Sequence, residues 1–406
     1  MPNPAQTPAD IDAILADPRL QAAFAALEAG HDRFVEEIVE LTEIPAPPFK
    51  EAVRAAAYLE KFRALGLQDC TIDAEGNVTG LRRGRGNGGL IVAAAHLDTV
   101  FPEGTDVTVR REGTKLFAPG VGDDTRGLAT LLAFIRALDA GGIETVQDIL
   151  FVGDVGEEGK GDLRGIRHLF TASAHKDRIE GFFSFDGIHT ADLVTSAVGS
   201  LRHRVTFSGP GGHSLNAFGT ANPGYALGAF LQGMAGLEVP AEPLTTFSAA
   251  VFGGGTSINA IPEEAFVEID LRSVSGTELA RLDARVHEIA EAAAAAETAR
   301  ATTGRIGVSW RALGNRPAGE TAPGTRLRAV SEAAIRALGF ELSVKASSTD
   351  ANIPMSLGIP AVTVGTGGDG GRAHSLEEWI DVAEGPSLQG QKAGLLALVG
   401  AAGISG

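Results

Sequence analysis

Four short apolar runs, each ending in an acid or a histidine, constrain this chain more than any other feature. Residues 90–95 (LIVAAA) run into His96-Leu97-Asp98, and Phe151-Val152-Gly153-Asp154-Val155-Gly156 runs into Glu157-Glu158-Gly159. Residues 182–185 (FFSF) run into Asp186-Gly187, and residues 361–364 (AVTV) lead through a glycine loop to His374. Runs of this length and apolarity are the pattern of strands buried on both faces of a parallel sheet. They alternate with helical stretches, among them 125–138 and 164–171, which predicts an α/β layer. Ligands collect at the carboxyl ends of strands in open α/β sheets, so four strand ends that each deliver a His, Asp or Glu form a site pattern.

Elsewhere the pattern differs. The first sixty-odd residues read as helices broken by Pro45, Pro47 and Pro48. Between 199 and 313 the sequence predicts strands at 201–208, 245–252, 257–261 and 265–272 and helices at 223–237 and 278–298, the mark of a compact α+β insert. The α/β pattern resumes with a helix at 325–338. The expected organisation is a first catalytic segment at 1–198, an inserted domain at 199–313 and a second catalytic segment at 314–406.

Composition narrows the function. The 406 residues carry 34 Lys and Arg against 51 Asp and Glu, a formal net charge of −17. That balance repels phosphates and anionic lipid, so neither nucleic acid nor a membrane is expected as partner. No run approaches the ~18 apolar residues of a spanning helix, and the first residues lack the basic and apolar regions of a secretory leader. A cytoplasmic protein is expected. Its one cysteine, Cys70, reads as a small packed residue, not a nucleophile.

A fifth acidic group sits in Pro119-Gly120-Val121-Gly122-Asp123-Asp124, a glycine turn feeding a helix. Asp124 reads as the N-cap of that helix. Asp123 beside it is a second carboxylate that repels the first unless a cation is near. Asp98, Asp123, Glu157, Glu158 and Asp186, with the neutral imidazoles of His96 and His374, make a set too costly to desolvate without counter-ions. Mixed His/carboxylate ligation suits Zn2+, with Co2+ or Mn2+ as replacements, and two such ions bridged by a carboxylate and a water would stand about 3.5–4 Å apart. Successive side chains of Glu157-Glu158 point different ways, so one can bind metal while the other faces the bridging water as general base. His96 and Asp98 could project to one side, with Asp98 orienting the ligand His96.

Other readings are weaker. Gly84-Arg-Gly-Asn-Gly-Gly89 precedes a strand instead of following one, and 153–160 lacks phosphate-loop spacing, so nucleotide binding is not expected. Ser214 and Ser375 lack the Gly-x-Ser-x-Gly elbow of a serine hydrolase. His31, His168, His175, His189, His203 and His287 read as surface or core residues.

These motifs, in this order, resemble the dinuclear zinc exopeptidase and amidohydrolase family of peptidase T, carboxypeptidase G, carnosinase-type dipeptidases, aminoacylase, acetylornithine deacetylase and succinyl-diaminopimelate desuccinylase. The resemblance covers most of the chain from about Phe34 onward. It implies a zinc-exopeptidase-like catalytic domain with a mostly parallel sheet, interrupted by an α+β lid domain that forms a homodimer. It implies His96, Asp123, Glu158, Asp186 and His374 as metal ligands, with Asp123 bridging, Glu157 as general base and Asp98 supporting His96. Gly209-Pro-Gly-Gly-His213-Ser214 resembles the lid loop whose histidine reaches the other subunit's site to stabilise the oxyanion. Gly253-Gly-Gly-Thr-Ser-Ile-Asn259 and Asp270-Leu271-Arg272 resemble the segments that hold the substrate's carboxylate, through Asn259 and Arg272. Thr125-Arg126-Gly127 departs from the family, where many members carry a lysine after the paired aspartates.

The expected function is hydrolysis of amide bonds in small peptides by a water bridging two zinc ions, with Glu157 as base. Alternatives are a deacylase of N-acyl amino acids on the same site and a non-catalytic peptide- or metal-binding protein of the same fold.

Overall fold

A computed structural model describes residues 8–86 and 89–406. The segment 1–7, on which the leader reading rests, and Asn87-Gly88 of the 84–89 glycine loop lie outside the described residues. The chain divides into two compact units, Met1–Ala197 with Glu320–Gly406, and Val198–Gly319.

In the first unit four strands run parallel at the middle of the sheet, in the order Asp148–Asp154, Leu90–His96, Ile179–Ser184 and Ala361–Val364. Leu90–His96 and Asp148–Asp154 are buried along their whole length. The period-2 geometry of a strand explains why both faces must be apolar. Ile91, Ala93 and Ala95 join the core with Leu128, Leu131 and Leu395, from helices Thr125–Ala140 and Glu384–Ala402. Leu90, Val92 and Ala94 join the opposite core with Ile166, Leu169 and Ile353.

The flanking strands are antiparallel and make the sheet mixed. Gln68–Ile72 and Val78–Arg82 form a hairpin whose short connection forces that direction, and Asp192–Ala197 lies antiparallel to Ala361–Val364. Asp192–Ala197 alternates half-buried and buried positions, a weaker sequence signal than the apolar runs at the centre.

The second unit holds a four-stranded antiparallel sheet in the order Thr245–Gly254, Glu264–Ser273, Gly199–Ser208, Gly307–Arg316. Helices Pro223–Ala235 and Gly276–Arg300 share its core through Phe230, Met234, Leu282 and Val286. Gly276–Arg300 starts earlier than its alanine-rich run because Ser275 caps it, accepting a hydrogen bond from the Glu278 amide at 3.3 Å. Gly307–Arg316 is a strand that the sequence reading omits; its glycine, serine and arginine content hides the alternation. Among the described residues, no helix is long and apolar enough to cross a membrane.

Helix Thr125–Ala140 is seated close against the end of strand Ile179–Ser184. At Gly127 a Cβ would lie 2.1 Å from the Phe185 carbonyl oxygen and 2.4 Å from Asp124 Oδ1. Only glycine permits this approach. Gly127→Ala is expected to destabilise the fold by at least about 1–3 kcal/mol through overpacking against fixed backbone, read as a lowered melting temperature; an unchanged melt would refute the tight seat.

Candidate metal centre

Three parallel strands end side by side, and residues at or just beyond their ends supply part of the site. His96 closes Leu90–His96 and is paired in register with Asp154, three residues before Glu157. Asp186 follows Ile179–Ser184 across the neighbouring ladder. His96 Nδ1 stands 3.0 Å from the backbone carbonyl oxygen of Asp98. A carbonyl only accepts, so Nδ1 carries the proton and Nε2 is the nitrogen presented to the site. The Asp98 carboxylate is farther, 3.8 Å from Nδ1.

That carboxylate has another task. It accepts hydrogen bonds from the backbone amides of Gly156, Glu157 and Glu158 at 2.8, 3.1 and 2.9 Å, and so fixes the turn that aims the paired glutamates. Gly156 makes the turn with φ of 75°. Glu157 and Glu158 are both buried. Asp98 thus holds the His96 ring with its backbone oxygen and the Glu157-Glu158 turn with its side chain.

Asp123 lies at the centre. One oxygen stands 2.9 Å from His96 Nε2 and the other 3.1 Å from His374 Nε2. His374 Nε2 is also 2.9 Å from Glu158 Oε1. His374 reaches this position with φ of 64°, a left-handed conformation rare for a residue with a side chain. Donor atoms of His96, Asp123 and Glu158 lie within 4.8 Å of one another, as do those of His96, Asp124 and Asp186. Asp124 caps helix Thr125–Ala140, accepting from the Gly127 amide, and also accepts from the His96 amide, both at 3.2 Å.

The electrostatics are those of a crowded anionic site. Burial, reinforced by the charge of Asp123, pushes the Asp186 carboxyl up to about 7. Burial and Asp186 push Asp124 well above the carboxylate range. Burial opposes ionisation of Asp123, yet the hydrogen bonds from His374 and His96 hold it far below that range. Those to Asp123 and Glu158 raise His374 to about 10. Nitrogen and carboxylate oxygen at 2.9–3.1 Å require a cation between them or a proton on the ring. Two imidazoles facing opposite oxygens of one carboxylate, with further acids beside each, fit two divalent ions sharing Asp123.

Two supporting residues escaped the sequence reading. Buried Glu378 accepts from the amides of Gly120, Gly122 and Asp123 at 2.8, 2.8 and 2.9 Å and so holds the loop that presents Asp123. Its signal was an acid set directly before the strand Trp379–Asp381. Buried Arg54 donates to the carbonyls of Leu97 at 2.8 Å and Ile44 at 2.9 Å, pinning the chain just after His96. No motif marked it. The departing Arg126 is buried, with its guanidinium 3.1 Å from Ser387 Oγ and over the Phe34 ring. A cavity of about 260 Å³ lined by Gly122, Asp123, Asp186, His189 and Trp379 opens at the cluster.

The remaining predicted site residues lie in the second unit. His213 pairs with Ala260 in a short two-stranded ladder, which sets it beside Asn259. Its Nδ1 accepts from the Leu215 amide at 3.2 Å, leaving Nε2 as the N–H donor. Arg272 is not with them. It sits near the far end of Glu264–Ser273, eight residues beyond Glu264, or roughly 27 Å along the strand, with Nε 2.7 Å from Asp270.

Replacing Glu378 tests how far the Asp123 loop depends on it. Glu378→Gln removes an acceptor from a carboxylate that now serves three amides, and is expected to lower divalent-ion affinity about 10–100-fold. Equilibrium dialysis of the chelator-treated protein measures this; unaltered affinity would show that the loop holds itself.

Comparison with known proteins agrees with this geometry. The chain is similar to the succinyl-diaminopimelate desuccinylase of Corynebacterium glutamicum, 26% identical over 369 residues that span 88% of this chain and 95% of that protein. Its fold is similar to the aminopeptidase PepT of Bacillus cereus, with a TM-score of 0.75 at 21% identity over 92% of this chain and 99% of that one. It is also similar to the YXEP protein of Bacillus subtilis, a dinuclear metal binding peptidase, with a TM-score of 0.67 at 17% identity over 92% and 99%. The sequence pattern of peptidase family M20/M25/M40 matches residues 92–389, which include every ligand candidate from His96 to His374. The chain belongs to peptidase family M20/M25/M40 and is a metal-dependent amide hydrolase.

Proposed function

We propose that this protein is an exopeptidase for di- or tripeptides that works with two divalent ions, Zn2+ first among them, held by His96, Asp123, Glu158, Asp186 and His374. The observation that carries the reading is Asp123, whose two oxygens face two different imidazoles at 2.9 and 3.1 Å. When bound, such ions supply Lewis acidity to the scissile carbonyl and lower the pKa of water toward ~7.

The chain's own groups do the rest. Glu157 takes the proton from the attacking water and later delivers it to the leaving amine nitrogen. The Asp98 carboxylate keeps Glu157 aimed by holding the backbone of its turn. The Nε2 proton of His213 is the donor for the carbonyl oxygen as it becomes an oxyanion. Asn259 and Arg272 bind the free carboxylate of the substrate, which restricts action to chain ends. We place the protein in the cytoplasm as a homodimer joined through the inserted domain, with His213 acting on the centre of the other subunit.

A deacylase of N-acyl amino acids is the second reading, favoured by the similarity to a desuccinylase over 88% of the chain. A panel of dipeptides, tripeptides and N-acyl amino acids offered to the metal-loaded protein separates the two. Faster turnover of peptides supports the first reading, faster turnover of acyl amino acids the second, and no hydrolysis of either class overturns both.

Two variants test the roles. Glu157→Gln is expected to keep its metal and lose about 10²–10⁴-fold in kcat; near-normal turnover would remove Glu157 from the reaction. Mixed after subunit exchange, inactive Glu157→Gln and inactive His213→Ala chains should recover activity, because one of the two composite sites is then intact. Confirmed heterodimers without activity would count against the shared site.

A further inference from the structure

We propose a third divalent-cation site, separate from the catalytic centre, in the inserted domain: His203 of strand Gly199–Ser208 with Asp283 and His287 of helix Gly276–Arg300. Donor atoms of the three side chains lie within 4.8 Å of one another. His203 Nε2 is 3.0 Å from Asp283 Oδ1, and His287 Nε2 is 3.9 Å from the same oxygen. Donors on a tetrahedral ion at 2.0–2.2 Å stand roughly 3.4 Å apart, so the two separations bracket the requirement. Only one of them is a hydrogen bond; the second imidazole faces the carboxylate from beyond hydrogen-bond reach.

The surroundings hold the donors in place. Asp283 and His287 are four residues apart and share one helix face. His203 points from the sheet toward that helix, between Leu201 and Val205 of the same strand face. Trp310, on Gly307–Arg316, stacks on the His287 ring at 3.6 Å and meets His203 edge-on at 5.5 Å. Neighbouring cations are engaged elsewhere. Arg202 and Arg204, on the other face of the strand, face Asp270 and Glu268, and Arg281 and Arg285 pair with Glu278 and Glu288. The hydrogen bond from His203 keeps the Asp283 carboxyl below its ordinary range, so it is an anion ready to ligate.

Two imidazoles and one carboxylate select a borderline ion such as Zn2+, Co2+ or Ni2+ over Mg2+ or Ca2+. Such an ion would tie the helix to an inner strand of the sheet. In sequence Asp283 lies 80 residues from His203 and meets it only through packing.

The stacked tryptophan supplies the test. The chain has two tryptophans, and full-length protein carrying Trp379→Phe retains only Trp310. Chelator-treated protein titrated with Co2+ alone should show a saturable loss of Trp310 emission that chelator reverses. A His96→Ala change at the catalytic centre should leave that loss in place. His287→Phe keeps a ring against Trp310 while removing the donor, and Asp283→Asn keeps the shape without the charge. Each should weaken the quenching at least about tenfold, and equilibrium dialysis should find one ion fewer per chain. The proposal is overturned if the parent shows no saturable quenching, or if whichever of the two variants stays folded is quenched like the parent, which would leave His203–Asp283 a structural hydrogen bond only.

Discussion

Asp123 offers one oxygen to each of two imidazoles, and much of the first unit is arranged around that shared carboxylate. Its loop is held by three amides on Glu378, and its partners come from opposite sides, His96 from a strand end and His374 from a loop in a left-handed conformation. The paired glutamates are aimed by the Asp98 side chain, which spends its hydrogen-bonding capacity on their backbone. A centre built this way has its geometry fixed by buried backbone contacts before any substrate arrives. The rigidity is needed because the acids are both buried and close to one another, and burial first, then mutual repulsion, raises the carboxyls of Asp124 and Asp186. Divalent ions held by these residues would relieve that repulsion.

The sheet makes such crowding affordable. Because the central strands are apolar on both faces, Leu90–His96 and Asp148–Asp154 are anchored in two separate cores. Their ends are the first places where polar side chains can appear. Helix Thr125–Ala140 starts at the same level, and its capping Asp124 binds both the helix amide of Gly127 and the amide of His96. One side chain therefore ties helix start to strand end, and the absence of a Cβ at Gly127 lets the two meet.

What could be read in the sequence follows from the same physics. His96, Asp123, Glu157, Glu158 and Asp186 were legible because each sits just beyond an apolar run or in a glycine turn, where an ionisable residue has no cheap alternative explanation. His374 was legible from its order in the motif series. Glu378 and Arg54 were not, since a buried residue that binds backbone carries no spacing signature. The role of Asp98 was half legible: its position was marked, but whether its side chain or its backbone touches the histidine depends on a turn. The strand Gly307–Arg316 and the pairing of Asp283 with His203 were hidden for a common reason. Antiparallel strands beside solvent tolerate mixed sequences, and long-range packing brings together residues that local pattern keeps apart.

The inserted domain places its own limit on how a substrate can be held. His213 and Asn259 lie at the short Gly212–His213/Ala260–Ile261 ladder, which the chain leaves just before Glu264, whereas Arg272 stands roughly 27 Å beyond Glu264 along Glu264–Ser273. A dipeptide is at most about 7 Å long, so it cannot touch both ends of one copy. A rigid sheet does not bend to close that gap, because Glu264–Ser273 is paired along its length with Gly199–Ser208 and Thr245–Gly254. The three residues can serve one small substrate only if His213 and Asn259 come from one chain and Arg272 from another. The proposed homodimer would meet that requirement with a single kind of interface, each insert lending its loop end and keeping its arginine end.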